Sequence, residues 1–173
     1  MAGKVMVETE RLILREFDED DLEIYFELGR NPEIIRFTGD PGGGFKDHEA
    51  ALEYLTTRTL SDYRERGYGR WAVVVKETGN VIGFSGLKYL DDRSEVDVGY
   101  RLLPSEWGKG YATESAQAAV DYGFNPLGLK RMIGMVMPEN IASARVLEKI
   151  GMTFVEMTVD QGDQVAIYVI ERE

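Results

Sequence analysis

The most informative absence in this chain of 173 residues is that of cysteine. Without a thiol, the chain has no disulfide, no thiolate metal site and no cysteine nucleophile. The sequence also lacks any run of about 18 apolar residues, the length that indicates a membrane-spanning helix. Its N-terminal segment has no apolar stretch of the kind that a secretory signal contains. We therefore expect a globular protein located in the cytoplasm.

Positive charge and histidine are also scarce. The chain has 20 lysine and arginine residues against 31 aspartate and glutamate residues, so its formal net charge is −11. This balance disfavours nucleic-acid binding, which needs a basic surface. An acidic surface favours cationic partners such as amines, although the same charge can serve solubility alone. The single histidine, His48, lacks companions for a metal site or a catalytic triad, so no metal is expected.

The stretch over residues 96–124, which reads VDVGYRLLPSEWGKGYATESAQAAVDYGF, organises the rest of the chain. Apolar residues alternate over 96–102, which predicts a strand that ends before Pro104. Helical spacing predicts a helix over 111–124, after a loop that contains two glycines. Free N–H groups at a helix start attract anions, and glycines let a phosphate approach the backbone. The stretch predicts a phosphate-binding loop, with a plain turn as the alternative.

Periodicity, capping residues and turn signals predict the remaining elements. In chain order they are a strand over Val5–Phe17, a helix over Asp18–Gly29, a helix over Asp47–Arg66, strands over Trp71–Lys76, Val81–Leu90 and Glu95–Leu103, a strand over Arg131–Met137, a helix capped by Asn140 and ended by Gly151, and a closing hairpin of Met152–Asp160 and Gln164–Ile170. Three consecutive glycines over 42–44 predict either a mobile flap over an acceptor site or a plain surface connection.

Three segments, in this order, resemble the GNAT superfamily of N-acetyltransferases. The acyl-CoA loop of that family has Gln or Arg first, glycine at the fourth position and a small residue at the sixth. Here Gly110 and Ala112 fill the small positions, whereas Trp107 replaces the first residue. The form WGKGYATE resembles the subgroup of ribosomal-protein alanine N-acetyltransferases. Residues 9–15, TERLILR, and 140–151, NIASARVLEKIG, extend the resemblance over nearly the whole chain.

The resemblance implies an α+β fold. Its centre would be a twisted mixed sheet of about seven strands, antiparallel except for one splayed parallel pair, with helices on both faces. The strands that start at Glu95 and Arg131 would form the parallel pair, and acetyl-CoA would enter the gap between them. Residues 1–173 would form one acetyltransferase domain. The acceptor would be a primary amine, either a protein N-terminal α-amine or a small molecule, and a homodimer remains open.

Acetyl transfer from a thioester to an amine passes through a tetrahedral intermediate. It requires donor binding, a neutral amine, stabilisation of an oxyanion and departure of the CoA thiolate. By resemblance, the donor is bound by the strand, the loop and the starts of two helices. The implied donor-binding residues are Val98, Tyr100, Arg101, Leu102, Trp107, Gly108, Lys109, Gly110, Tyr111, Ala112, Thr113, Asn140, Ser143 and Arg145.

Three side chains are candidates for catalysis. Glu95 and Asp97 lie two residues apart on one strand and share a face, so either is a candidate base for the amine proton, unless both are solvated edge carboxylates. By resemblance, Asp97 replaces the glutamate that is usual in the subgroup. Many relatives have a tyrosine that acts as the general acid at the position where this chain has Leu147. Ser143 matches the subgroup's serine and would hydrogen-bond the CoA sulfur, unless its hydroxyl bonds back to the helix.

Two aromatic residues, Phe37 and Trp71, are candidates to line the acceptor pocket, with a place in the core as the alternative. The first interpretation of the chain is an N-acetyltransferase that uses acetyl-CoA. Because Trp107 and Leu147 depart from the family pattern, the alternative is an acyl-CoA-binding or assembly protein without turnover. Release of CoA thiol would separate the two interpretations, since a chain without cysteine gives no thiol background.

Overall fold

One mixed β-sheet runs through the computed structural model, which describes residues 3–38 and 40–173. Its strands are β1 Val5–Glu8, β2 Leu12–Arg15, β3 Arg70–Val75, β4 Val81–Leu90, β5 Glu95–Leu102, β6 Arg131–Val136, β7 Thr153–Asp160 and β8 Asp163–Glu171. Their spatial order is β1-β2-β3-β4-β5-β6-β8-β7. Neighbouring strands are antiparallel except β5 and β6, which are parallel. The expected α+β fold is confirmed.

Short helices connect these strands. They are α1 Leu22–Leu28, α2 Pro32–Ile35, α3 His48–Tyr54, α4 Leu60–Arg66, α5 Tyr111–Phe124 and α6 Ile141–Lys149, with a π-helical turn over Leu55–Thr59 between α3 and α4 and 3₁₀ turns at Glu19–Asp21, Pro41–Gly43 and Pro104–Glu106. Because α3, the π turn and α4 are continuous, the single helix predicted over 47–66 is present with one widened turn. Gly67 ends it in the left-handed conformation, at φ 77°.

The N-terminal segment differs from the prediction of one strand over Val5–Phe17. The chain reverses within it and forms the antiparallel pair β1 and β2. Thr9 makes this turn without glycine or proline: its N–H donates to the Leu12 carbonyl at 2.9 Å, and its hydroxyl accepts from the Leu12 N–H at 3.1 Å. The reversal adds a strand, so the sheet has eight strands where about seven were expected.

Helices cover both faces of the sheet, as expected. Along β3, Trp71 and Val73 belong to the cluster that contains Ala116 of α5, whereas Ala72 packs with Leu55 in the cluster beneath α1 and α3. Alternate residues of a strand point to opposite faces, which explains the division. Side chains buried in this way stabilise the fold by about 1.5–3 kcal/mol each when they are as large as leucine.

The parallel strands separate soon after they meet. The register of β5 with β6 includes only the pair Asp97 and Ile133, whereas β5 pairs with β4 over its whole length from Glu95 to Leu102. One edge of β5 beyond Asp97 therefore faces a gap. No helix in the described part of the chain is long and apolar enough to cross a membrane.

Candidate active site

The gap between β5 and β6 opens into a cleft of about 600 Å³. Its floor comes from β5 and β6, one side from the start of α6, and the other side from α1, the segment after α2, and the α3–α4 helix. Residues of all these elements line it, and those used below are Phe37, Asp40, Phe45, Asp62, Arg70, Asp97, Val98, Gly99, Tyr100, Arg101, Asn140, Ser143, Leu147, Asp160 and Asp163. The cleft lies at the gap between the two parallel strands, which is where the family resemblance predicted that acetyl-CoA would enter.

The exposed edge of β5 is suited to an extended, amide-containing ligand. Val98, Gly99, Tyr100 and Arg101 line the cleft at the point where β6 has diverged. An unpaired strand edge presents alternating N–H and C=O groups, which an extended chain can pair with as an added strand. The pantetheine arm of CoA carries amide groups of this kind. The predicted donor contacts at Val98, Tyr100, Arg101 and Leu102 are therefore on a strand with the required free edge.

The glycine loop lies between the 3₁₀ turn after β5 and the start of α5. Gly108 and Gly110 have φ values of 78° and 83°, which L side chains rarely adopt. Within the described chain, the backbone N–H groups of residues 108–113 have no hydrogen-bonding partner. Trp107, the departure from the family pattern, donates its indole N–H to the Leu102 carbonyl at 2.9 Å and so ties the loop to β5. Free N–H groups at a helix start form an anion site.

Asn140 and Ser143 sit at the N-terminus of α6, on the side of the cleft opposite Asp97. The Asn140 carboxamide accepts from the Ser143 N–H at 3.2 Å, which confirms Asn140 as the predicted cap. The Ser143 hydroxyl does not bond back to the helix. It lies 2.9 Å from the Tyr100 hydroxyl, which also donates to the Ser143 carbonyl at 2.8 Å. Leu147, buried one turn further along α6, lines the cleft without a polar group.

Asp97 and Arg70 form an ion pair deep in the cleft, with 9% and 18% of their side chains exposed. Arg70 Nη2 donates to Asp97 Oδ2 at 2.5 Å, and Nη1 donates to the carbonyls of Gly86 and Asp97. A Cβ at Gly99 would lie 2.5 Å from Nη2 of Arg70, so glycine there makes room for the guanidinium.

The environment of Asp97 keeps it easier to protonate than an ordinary aspartate. Burial raises the pKa of Asp97, and the charge and hydrogen bonds of Arg70 oppose this effect without cancelling it. Its second oxygen, Oδ1, is fully buried and has no side-chain hydrogen bond among the described residues, while the backbone N–H of Met135 lies close enough to lower the pKa of Asp97. Asp97 therefore has one oxygen that is fixed by Arg70 and a second, buried oxygen next to the backbone of Met135.

Apart from Leu102 and the loop residues 107–113, three sequence candidates lie outside the lining of this cleft. Glu95 was expected to share the face of Asp97, but its carboxylate accepts from Arg131 Nε at 2.8 Å on the surface, and the residue is not part of the cleft lining. Trp71 is wholly buried and packs edge-on against Tyr122 in the core, with ring centroids 5.0 Å apart. Arg145 is exposed on α6, outside the cleft lining. The structure therefore does not bring Glu95 or Trp71 to the expected site.

The segment around the three glycines is tied to the cleft wall. Asp40 accepts two hydrogen bonds from Arg101, at 2.7 and 2.8 Å, so this segment is anchored to β5. Phe45 donates its N–H to the Gly29 carbonyl at 2.9 Å. A Cβ at Gly44 would clash with that same carbonyl, and its φ of 89° also requires glycine. Phe37 and Phe45 both line the cleft, so the segment borders the predicted acceptor side.

The cleft carries more negative than positive charge. Its described lining includes the aspartates 40, 62, 97, 160 and 163 and the cations Arg70, Lys88 and Arg101. Asp62 and Lys88 form a long ion pair at 3.9 Å, and Asp160 and Arg93 form another at 3.6 Å. Even with these pairs, the five lining aspartates outnumber the three lining cations, which leaves the cleft with a negative balance. The excess of carboxylates makes the cleft suited to a cationic ligand.

Sequence reasoning did not identify Arg70 or the hydroxyl of Tyr100 as parts of the site. Arg70 and Asp97 are 27 residues apart and come together only through the pairing of β3, β4 and β5. Tyr100 and Ser143 are 43 residues apart and meet across the gap. No local pattern marks such contacts. Only the alternation along β5 indicated that Tyr100 and Asp97 point to opposite faces.

Comparisons with known proteins agree with this geometry. The acetyltransferase (GNAT) domain model matches residues 11–153. The uncharacterized N-acetyltransferase YoaA of Bacillus subtilis is 33% identical over 147 residues, which cover 84% of this chain and 81% of YoaA. The spermidine N(1)-acetyltransferase of Escherichia coli is 28% identical over 143 residues, which cover 80% of this chain and 70% of that enzyme.

Solved structures show the same fold. An acetyltransferase from Agrobacterium tumefaciens superimposes with a TM-score of 0.82 at 27% identity, covering 96% of this chain and 94% of that chain. The ribosomal-protein-S5-alanine acetyltransferase of Vibrio fischeri superimposes with a TM-score of 0.80 at 17% identity, covering 97% of each chain. At 17% identity, the match to the Vibrio fischeri enzyme shows a shared fold and no more.

These matches show that the chain belongs to the GNAT acetyltransferase family. Within that class it is an N-acetyltransferase that depends on acetyl-CoA, and its acceptor is an amine. Family membership thus supports the enzymatic interpretation over that of a binding protein without turnover.

Proposed function

We propose that this chain, as one domain over residues 1–173, transfers the acetyl group of acetyl-CoA directly to a primary amine held in the cleft. One observation carries the proposal: a buried carboxylate, Asp97, and a hydroxyl, Ser143, both line the cleft at the gap between β5 and β6. A donor along the β5 edge would lie between them. Direct attack needs this arrangement and needs no cysteine on the protein.

The donor would be held at two places. The edge of β5 over Val98–Leu102 would pair with the pantetheine amides, and the free N–H groups of residues 108–113 would hold the diphosphate. A backbone N–H between Val98 and Tyr100 would stabilise the oxyanion, a contribution worth about 3–4 kcal/mol when one such donor is removed from other enzymes. Both sites belong to rigid elements, which favours a fixed donor geometry.

Asp97 would accept the proton from the attacking amine, directly or through one water molecule. An amine of ordinary pKa, about 8–10, is mostly protonated at neutral pH and cannot attack until it loses a proton. The carboxylate of Asp97 would be the acceptor, and burial brings the pKa of Asp97 closer to the working pH than that of a solvated aspartate. Arg70 would hold the carboxylate in place. Glu95, turned toward Arg131, has no role in this proposal.

Ser143 would assist the leaving group. When the C–S bond breaks, its electron pair stays on the sulfur, and the Ser143 hydroxyl would donate a hydrogen bond to the thiolate. Full protonation by an enzyme acid is not required, because a thiol with a pKa near 8.5 is a tolerable leaving group. The apolar Leu147 in place of the usual tyrosine is therefore compatible with turnover.

The acceptor that the cleft favours is a small amine that carries further positive charge. The described lining has five aspartates against three cations, and the ion pairs of Asp62 and Asp160 are long, at 3.9 and 3.6 Å. The likeness to a spermidine N(1)-acetyltransferase supports this class. A protein N-terminal α-amine is the second candidate, supported by the open cleft and by the fold shared with a ribosomal-protein acetyltransferase.

A thiol-release assay tests the proposal and separates the two acceptors. Acetyl-CoA is incubated with the protein and either spermidine, a monoamine of similar length, or short peptides with a free N-terminus. We expect faster release with spermidine than with the monoamine. The matched pair Asp62→Asn and Asp92→Asn, in the cleft and on an exposed turn, should differ: only the first should raise the KM for spermidine. Equal rates for spermidine and the monoamine would contradict the proposal that the acceptor carries further positive charge.

A further inference from the structure

An arginine outside the predicted donor set lies against the glycine loop. Arg11, in the turn between β1 and β2, donates Nη1 to the Lys109 carbonyl at 2.9 Å. Its Nη2 lies 3.2 Å from the position that a Cβ would take on Gly110. Its guanidinium also covers the ring of Tyr111, 4.5 Å from the centroid. The side chain is 42% exposed, so its outer N–H groups remain accessible to a ligand.

The same guanidinium is paired with a carboxylate in the first turn of α5. Arg11 Nε donates to Glu114 Oε1 at 2.7 Å, and the Arg11 backbone N–H donates to Oε2 at 3.0 Å. The Thr9 hydroxyl donates to Oε2 at 2.6 Å. Burial alone would raise the pKa of Glu114, but these hydrogen bonds outweigh it and hold the pKa below its usual range. Glu114 is therefore fully ionised at neutral pH.

A negative charge at this position conflicts with a diphosphate on the loop. Glu114 follows directly after the free N–H groups of residues 108–113, and an anion held there would feel the repulsion of its carboxylate. Arg11 removes the conflict because it neutralises Glu114 with one edge of its guanidinium. The opposite edge, with Nη2 beside Gly110, then faces the loop.

We propose that Arg11 is a further donor-binding residue, which neutralises Glu114 and contributes positive charge to the site of the CoA diphosphate. This inference rests on the proposed function, since it takes the loop as the diphosphate site. A planar guanidinium can serve a carboxylate and a phosphate at once, through separate N–H groups, as a lysine cannot. The competing explanation is structural: Arg11 and Glu114 would only fasten the β1–β2 turn to α5.

Calorimetric titration with acetyl-CoA separates these explanations without an acceptor. The variants are Arg11→Gln, Glu114→Gln and the double variant, with Arg172→Gln as the matched control. Arg172 is also exposed and bonds to the other end of α5, at the Phe124 carbonyl. Arg11→Gln should weaken binding about tenfold or more, as expected for loss of a charge-assisted contact. Glu114→Gln should bind at least as tightly as the wild type, because it removes a repelling charge and leaves Arg11 in place, and Arg172→Gln should bind as tightly as the wild type.

The double variant gives the decisive result. If electrostatics governs, removing Glu114 from Arg11→Gln should recover much of the lost affinity, and the deficit of Arg11→Gln should shrink as salt rises. If the pair only fastens the turn, Glu114→Gln alone would bind as weakly as Arg11→Gln and the double variant would recover nothing, which would overturn the proposal. Arg11→Lys keeps the charge and should therefore bind acetyl-CoA more tightly than Arg11→Gln. If Arg11→Gln unfolds, Arg11→Lys is compared with the wild type instead.

Failure of the inference and failure of the proposed function look different in this experiment. If wild-type protein binds acetyl-CoA and Arg11→Gln binds it equally well, Arg11 has no donor role, while the proposed acetyl transfer stands. If wild-type protein does not bind acetyl-CoA, both the donor site and the inference built on it are wrong.

Discussion

Replacement of Arg70 by methionine should destabilise the protein in a pH-dependent way. The change removes the counter-ion of Asp97, whose side chain is only 9% exposed. A buried ion pair that loses one partner typically costs about 3–5 kcal/mol, because the remaining charge is left uncompensated. The lost hydrogen bonds to the Gly86 and Asp97 carbonyls add to this cost. We expect a decrease of this size in the free energy of unfolding at pH 8.

The penalty should shrink as the pH falls. Burial already raises the pKa of Asp97 in the folded protein, and loss of Arg70 raises it further. A carboxyl group whose folded pKa exceeds its unfolded value stabilises the fold below the unfolded value, and that contribution is lost as the pH rises through the folded pKa. Between the folded pKa of Asp97 in the wild type and its higher folded pKa in the variant, the penalty should grow by about 1.4 kcal/mol for each pH unit.

Urea unfolding of Arg70→Met at several pH values between 5 and 8 measures this dependence. The control is the double variant Arg70→Met/Asp97→Asn, in which the carboxylate is absent and the pH dependence should disappear. A penalty of Arg70→Met that is the same at pH 5 and pH 8 would refute the reasoning. So would a penalty below about 1 kcal/mol, the scale of an exposed ion pair.

Two further predictions concern other hydrogen-bonded groups. Tyr100→Phe should lower kcat several-fold and leave the KM for acetyl-CoA unchanged, because the phenol positions the Ser143 hydroxyl. Steady-state rates of the double variant with Ser143→Ala should equal those of Ser143→Ala alone, whereas multiplied effects would argue against this coupling. Asp21 accepts two hydrogen bonds from Arg15 that outweigh burial and hold the pKa of Asp21 below its usual range. Its stabilisation is present above the unfolded pKa and lost as the pH falls through the folded one, so Asp21→Asn should cost about 1.5–3 kcal/mol at pH 7 and much less near pH 2, measured by thermal or urea unfolding.

Much of the fold was predictable from local signals. Alternation and Pro104 mark β5, helical spacing marks α5, and Asn140 caps α6 as predicted. The turn after β1 was hidden because Thr9 forms it with its own side chain, where glycine or proline would have been visible in the sequence.

The site was less predictable, because its decisive contacts are long-range. Asp97 was identified from its strand, but its partner Arg70 comes from another strand of the sheet. Trp71 was a candidate for the acceptor pocket with the core as the alternative, and it lies in the core. Since β3 is buried on both faces, alternation in its sequence does not reveal which face meets the cleft. Glu95 failed as a candidate because Arg131 pairs with it at the surface.

The central claim is direct transfer of an acetyl group from acetyl-CoA to a primary amine in this cleft. Mass spectrometry of a reaction with acetyl-CoA and spermidine, and in parallel with peptides that have a free N-terminus, tests it most directly. We predict acetylated amine in equal amount to the CoA released, unmodified protein, and a strongly reduced rate for Asp97→Asn. Release of CoA without an acetylated amine, or no acetylated product from any amine, would contradict the account.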